Sequence, residues 1–391
     1  MTDKKKFIIG CRGSKLSLAY SNHVKNLLIK SNPGFNENSI ELKIIKTSGD
    51  IFQNKRISDI GGKGVFCKQI EEELLESKID LAVHSLKDLP TIMTEGLCVN
   101  AVVKRNDPRD AFLSFSCKSL KELKPKSKIG TSSPRRHAQI NLLRNDVEIV
   151  TIRGNIDTRI KKLKEKEYDA IVLSLAGIQM LKLTNQVKEI FNTEQMLPAI
   201  GQGVIALQCK KNDYETLNIL KSINDEKTYY CVQAERAVLE TIGGDCDTAI
   251  GALAELSDGK IFLKSELFSN DGKKKFKSQN SGHFKDAKKI GHKVGKELLI
   301  KAGSNFTTQE NWKVHIVITR PKEDSLLLIE NLIKLGHSVT HLPVIKIEKL
   351  ETKKINLLNY QAIIFTSSNS IKFMNIEKFN SQIKCFCVGK A

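Results

Sequence analysis

With 391 residues, 63 Lys and Arg against 44 Asp and Glu, and a formal net charge of +19, the chain has room for two to four domains and calls for anionic partners. Its 40% hydrophobic and 27% charged content is that of an ordinary globular protein, and no apolar run approaches the ~20 residues of a membrane helix, which excludes a membrane-spanning role. The opening MTDKKKFIIGCRGS has too little apolar sequence for a signal peptide, so the expected location is the cytoplasm. The 9 cysteines form no CxxC pair and no Cys/His ligand spacing, which argues against a disulfide framework and against a metal site.

In chain order, KKFIIGC predicts a short buried strand ending at Cys11, and a helix follows over Leu16–Lys30. ELKIIKT predicts a second strand. FCKQIEEELLES, Phe66 to Ser77, is helical, with Phe66, Ile70, Leu74 and Leu75 on one face, and IDLAVHS is the next strand. From about Asp110 to Pro198 the alternation repeats: SKIGTSS, helix PRRHAQINLLR, strand VEIVTIRG, helix DTRIKKLKEK, strand YDAIVLS. Such alternation predicts two α/β units, each on a largely parallel sheet. From Glu226 the pattern changes. TYYCVQAERAVLETI is helical, IGALAEL and KIFLKSELFSNDGKKKFKSQ read as antiparallel strands turning at Asn270-Asp271-Gly272, and a helix over Asp286–Ala302 closes a small α+β unit. GSNFTTQENWK is polar and linker-like; after it come strand VHIVITRP, helix SLLLIENLIKLG and strands QAIIFTSS and IKCFCVG.

Candidate functional residues collect in the loops after strands, where open α/β sheets bind ligands. These are Arg12 and Ser14 in CRGSK, Lys63 in GGKGVF, and Ser85, Lys87 and Asp88 in VHSLKDLP. Thr131, Ser133, Arg135 and Arg136 follow in GTSSPRR, and Arg153, Asn155 and Arg159 in TIRGNIDTR. Helix starts favour anions, and arginine adds a planar fork for carboxylate or phosphate. GGKG lacks the GK[ST] ending of a P-loop. Together the loops imply a cleft for a ligand carrying several anionic groups. Asp88, an acid among cations, is either a charge stabiliser and proton carrier or a structural partner of Lys87 or an arginine.

Cys246 lies in GGDCDTAIG between Asp245 and Asp247. Two flanking carboxylates oppose thiolate formation, so a turnover nucleophile is the wrong reading; what remains is a bland loop thiol or a sulfur used once, as an anchor. Basic nucleic-acid binding is an alternative that the charge favours, but only 6% of residues are aromatic and no RNP, helix-turn-helix or zinc signature is present. A two-lobed anionic-solute-binding protein is the other alternative; it would have no use for Cys246.

The chain from about Phe7 to Ala302 resembles porphobilinogen deaminase, also called hydroxymethylbilane synthase. The resemblance rests on RGSKLSL, TSGD, GGKGVFCKQIEEELL, DLAVHSLKDLP, RNDPRDAF, GTSSPRR, RGNIDTR, LPAIGQG and GGDCDTAIGALAEL, in that order. It implies two periplasmic-binding-protein-like α/β domains (1–108 with 199–225, and 109–198) and a small α+β domain, 226–303, carrying the cofactor. It further implies a dipyrromethane cofactor held by a thioether to Cys246, and stepwise head-to-tail joining of four porphobilinogen molecules with loss of ammonia. Asp88 becomes the catalytic group, and the loop cations and hydroxyls hold the pyrrole carboxylates. A monomer that binds neither nucleic acid nor membrane is expected. Three positions depart from the family's usual residues: Tyr20 for Gln, Met180 for Arg and Ala249 for Pro. After a linker, 304–313, the segment 314–391 resembles the beginning of uroporphyrinogen-III synthase in VITRP, LIKLG, the proline strand HLPVIKI, IIFTSSNSIKF and CFCVGKA. The resemblance implies a partial α/β lobe without complete cyclising activity, and a hand-over of product to a full synthase.

Overall fold

The computed structural model describes residues 6–47, 67–244, 248–269 and 272–303 and, further on, 315–321, 324–334, 337–344, 346–348, 360–365, 370 and 383–387. Lys63, Cys246, the Asn270-Asp271 part of the expected turn and the expected linker lie outside the described residues. The chain divides into two units, Met1–Thr307 and Thr308–Ala391.

The first unit opens with β1 (Phe7–Cys11), α1 (Lys15–Ser31), β2 (Ile40–Ile44), α2 (Lys68–Leu75), β3 (Leu81–Ser85) and β4 (Leu97–Val102). It continues with β5 (Asp110–Ser114), β6 (Lys128–Gly130), α3 (Pro134–Leu143), β7 (Glu148–Val150), α4 (Ile156–Lys164), β8 (Ala170–Ser174), α5 (Leu175–Met180) and β9 (Glu189–Ile190). Then come β10 (Ile205–Lys210), α6 (Tyr214–Lys221), α7 (Glu226–Ile242), β11 (Ile250–Ser257), β12 (Lys260–Phe268), β13 (Lys275–His283) and α8 (Ala287–Ala302). Local chemistry sets several of these boundaries. The Ser14 hydroxyl accepts from the Ser17 amide at the start of α1, and Ser133 does the same for Arg136 at α3, where Pro134 supplies the preset first turn. Helix α7 is capped by Asp225 and stops at Gly243, whose φ of 68° is the left-handed conformation glycine adopts without strain.

Two five-stranded sheets follow one plan, β2-β1-β3-β10-β4 and β7-β6-β8-β5-β9. Each is largely parallel, as the alternation predicts, with one strand reversed. In each, three strands are parallel, and the fourth, β10 or β5, runs antiparallel to both its neighbours. The reason is connectivity. The chain crosses from the first sheet to the second between β4 and β5 and returns between β9 and β10. A strand entering from the other lobe starts at the end where the parallel strands finish, so it must run the opposite way. The two crossovers bind each other: the Asn106 amide donates to Gly203 O at 2.8 Å. Gly203 has φ +83°, and a Cβ there would lie 2.6 Å from Asn106 O, so only glycine allows the approach.

Alternation along the strands fills both faces. In β5, Ala111 and Leu113 pack with Ile160 and Leu173 on one side, whereas Phe112 packs with Ile140, Val172 and Phe191 on the other. The first sheet likewise has α1 and α6 on one face, through Val24, Leu28 and Leu220, and α2 on the other, through Ile70 and Leu74. A three-stranded antiparallel sheet, β11-β12-β13, packs on α7 and α8 through Val238, Ile261, Leu263, Val294 and Leu298.

The second unit holds β14 (His315–Ile318), α9 (Leu326–Lys334), β15 (Ser338–His341), β16 (Ala362–Phe365) and β17 (Lys384–Cys387), with β14 parallel to β15 and β16 parallel to β17. The strand expected over HLPVIKI lies earlier, ending at His341; Pro343 has no amide hydrogen to continue a ladder.

Candidate active site

Asp88 ends the single 3-10 turn Leu86–Asp88 that follows β3, and its side chain is exposed. Lys87, beside it, is half-buried. Enclosure pushes the Lys87 ammonium down to about 8; Asp88 opposes this, and the Arg136 charge adds to it. The same Asp88 charge reaches Tyr20 in α1, whose phenol is pushed up to about 12 by burial first and then by Asp88. It also reaches Arg159 in α4. Burial lowers the Arg159 guanidinium to about 10, the charges of Arg136 and Arg153 push it further down, and Asp88 again opposes. One carboxylate on the first lobe and three arginines on the second therefore share one electrostatic neighbourhood. Lys15 Nζ pairs with Asp157 Oδ2 at 3.4 Å, so the loop carrying Arg12 and Ser14 faces the loop carrying Arg153 and Asn155.

Most of the expected residues meet here, in unequal roles. Arg12, Arg153 and Arg159 are half-buried, and Arg159 is steadied by its Nε donating to Gly154 O at 2.8 Å. Arg12 also lowers buried His84, whose ring falls to about 4, mainly through burial. Arg135 and Arg136 are different. Only 2% and 5% exposed, they are turned onto Asp110: Arg135 Nη1 reaches Oδ2 at 2.8 Å and Arg136 Nη2 reaches Oδ1 at 2.7 Å. Burial acts to raise the Asp110 carboxyl, but the two guanidinium groups outweigh it and hold it at about 2. The sequence reading placed both arginines among the direct binding groups; in the structure both are engaged in a buried ion cluster with Asp110, at the start of β5 where the crossover enters. Ser14 and Ser133 cap helices, and the Thr131 hydroxyl accepts from the Ser133 amide at 3.2 Å. Asn155 opens α4 without a side-chain capping bond, and Ser85 is half-buried at the end of β3.

The residues that sequence reasoning missed bind the lobes together. Gln202 donates to Asp110 Oδ1 at 2.9 Å and to Pro108 O at 2.7 Å. Its carbonyl accepts from Arg105 Nε at 3.0 Å. Arg105 also pairs with Glu235 of α7, a fully buried carboxylate that accepts from the Gly201 and Ala254 amides at 2.8 and 2.9 Å. The only trace of Arg105 and Gln202 in the sequence was their place within RNDPRDAF and LPAIGQG, and Glu235 sat unremarked in the helical stretch TYYCVQAERAVLETI.

The base of the Cys246 loop is fixed on both sides. Gly244 and Thr248 meet so closely that a Cβ on Gly244 would lie 2.7 Å from Thr248 Oγ1. The Gly244 carbonyl accepts from Thr91 Oγ1 at 3.4 Å, and Arg236 Nη2 donates to Pro90 O and Thr91 O at 2.6 and 2.9 Å. Thr91 is three residues after Asp88.

The model of the porphobilinogen deaminase dipyromethane cofactor binding domain matches residues 7–218, and that of the porphobilinogen deaminase C-terminal domain matches residues 229–300. The chain belongs to the porphobilinogen deaminase family. A porphobilinogen deaminase of Ehrlichia canis is 45% identical over 293 residues, 74% of this chain and 96% of that one. One of Syntrophomonas wolfei subsp. wolfei is 40% identical over 296 residues, 76% and 96% respectively. Among solved structures, the methionine binding protein MetQ is 11% identical, with a TM-score of 0.37 over 57% of this chain and 92% of that chain, too loose a likeness to carry weight. The site suits a deaminase cofactor bearing several carboxylates. Arg159 is lowered first by burial and then by the charges of Arg136 and Arg153, and an anionic ligand offsets both the lost hydration and the crowding of cations. Of the positions expected to depart from the family's usual residues, Tyr20 is only 6% exposed in the first-lobe core and Met180 packs against that same core.

Proposed function

We propose that this deaminase carries its dipyrromethane as a thioether on Cys246 and that Asp88 is its catalytic carboxylate. The chain is a transferase that joins four porphobilinogen molecules head to tail, losing ammonia each time, and releases 1-hydroxymethylbilane. The observation that carries the assignment is the tie between the Cys246 loop and the Asp88 segment, made by Thr91 and Arg236. When bound, the dipyrromethane supplies the pyrrole end on which the chain grows. Arg12, Lys63, Lys87, Arg153 and Arg159 neutralise the acetate and propionate groups, and Ser85 and Asn155 add hydrogen bonds. Asp88 accepts a hydrogen bond from the pyrrole N–H of the incoming porphobilinogen and stabilises the methylene-pyrrolenine cation left when ammonia departs. Arg135 and Arg136 act through their charge and through the Asp110 cluster that sets the floor of the site.

Three domains, 1–108 with 199–225, 109–198 and 226–303, act as a cytoplasmic monomer in this reading. The segment 314–391 is read as a uroporphyrinogen-III synthase-like lobe. The parallel pairings β14–β15 and β16–β17, with α9 between the first pair, support an α/β lobe. Intact-mass measurement tests the central claim. The purified chain is expected to carry an excess equal to two linked pyrroles, lost in Cys246→Ser together with activity. An active chain of unmodified mass overturns it.

A further inference from the structure

Two thiols outside the site meet on the first sheet. Cys98 of β4 and Cys209 of β10 are direct partners across an antiparallel ladder, between the Leu97–Lys210 and Val99–Gln208 pairs. Opposed residues on such strands have Cα atoms roughly 4.5–5.5 Å apart, inside the roughly 4.4–6.8 Å that a disulfide spans. Both side chains lie on the face covered by α1 and α6: Cys209 is fully buried in that core, and Cys98 packs against it while partly open to solvent. Both are free thiols. Facing each other across the ladder, the two sulfurs influence one another: the pairing pulls the Cys98 thiol down to about 7, against burial and with help from Lys211, and pushes Cys209 up. Cys98, the partly open sulfur, is the one an oxidant reaches and so the attacking one, and Cys209 is the fully buried partner beside it. Strand β4 is a sheet edge, so a small oxidant reaches Cys98 without crossing the core.

We propose that Cys98 and Cys209 form an oxidant-sensitive site at which a hydroperoxide is reduced and β4 becomes covalently joined to β10. The Cys98 thiolate attacks the terminal peroxide oxygen. The O–O bond breaks, leaving a sulfenic acid on Cys98 and an alkoxide that takes up the proton Cys98 released. The Cys209 sulfur then attacks the Cys98 sulfur, the S–O bond breaks, and the hydroxyl leaves as water with the Cys209 proton. In sum, two thiols and one hydroperoxide become one disulfide, one alcohol and one water. The link encloses the whole second sheet in its loop and pins the strand that leads into the Arg105–Asp110 crossover.

The experiment treats the full-length holoenzyme with hydrogen peroxide, blocks remaining thiols with N-ethylmaleimide and maps peptides without reductant. A Cys98–Cys209 linked peptide is expected, two hydrogens lighter than the sum of its parts and abolished by dithiothreitol, together with slower amide exchange over Leu97–Val102. Cys98→Ser, or Cys98→Ala should that variant fold poorly, is expected to give no linked peptide while keeping full deaminase activity before oxidation. Sulfinic acid on Cys98 with Cys209 still alkylated overturns the proposal. So does Cys98 linked to any other cysteine, or both thiols unchanged at peroxide levels that oxidise free cysteine.

Discussion

Lys87 and Asp88 are neighbours in sequence whose charges oppose each other in effect. Lys87 titrates at about 8 rather than its ordinary 10.5. Its folded value is depressed, so the protonated amine costs stability, and that cost is relieved as pH rises from about 8 towards 10.5. The same rise removes the cation that holds a substrate carboxylate. KM for porphobilinogen is therefore expected to climb above pH ~8, with kcat changing less. Lys87→Arg should move the climb to higher pH, since a guanidinium keeps its proton there. An unchanged KM profile in that variant would remove Lys87 from substrate binding. Asp88→Asn keeps the shape and removes the charge. We expect turnover to drop ~10²–10⁴-fold with circular dichroism and thermal midpoint close to those of the parent. Wild-type turnover would dismiss the role assigned to Asp88.

Helix α7 is the element that joins the parts. Just past its midpoint it feeds Glu235 into the crossovers, and one residue later Arg236 reaches the Asp88 segment. Its C-terminal end at Gly243 comes three residues before Cys246 in the sequence. Glu235→Ala leaves Arg105 without its carboxylate and two amides without an acceptor. Breaking a buried pair in this way typically costs about 3–5 kcal/mol, so the denaturant midpoint should fall sharply; a midpoint near wild type would show that the junction does not depend on this group. The Asp110 cluster gives this junction an acid limit. The Asp110 carboxyl is held at about 2 against an ordinary 3.8. The stability it contributes is fully present above pH ~4 and is lost as pH falls towards 2. Asp110→Asn is expected to flatten that acid limb in urea midpoints measured between pH 2 and 5, and a limb of unchanged steepness would rule Asp110 out as its source.

At the scale of the whole molecule, the division at Thr307 separates the family-matched part from the rest. A chain ending at Thr307 is expected to keep the dipyrromethane and nearly full deaminase activity, measured as hydroxymethylbilane formed per enzyme. Loss of activity with the fold intact would mean that the second unit serves the first. Relatives matched over 96% of their length span fewer than 300 residues of this chain, in agreement with that division.

Much of this was legible in the residues. Short-range chemistry wrote the helices and the loops: apolar spacing, Ser14 and Ser133 at helix starts, Pro134 in a first turn, Gly243 at a helix end. The same loops named Asp88, Lys87 and the arginines, because strand-end positions in α/β sheets are fixed by local grammar. Strand direction was not legible. Whether β5 and β10 run with or against their neighbours depends on where a crossover enters, and local sequence does not record it. Nor could the sequence divide the arginines. Arg135 and Arg159 are the same residue type in similar helix-start loops, yet one is spent on Asp110 and the other stands half-open beside Asp88. That difference is made by a carboxylate brought from another strand, so tertiary contact alone decided it, as it decided the pairing of Cys98 with Cys209.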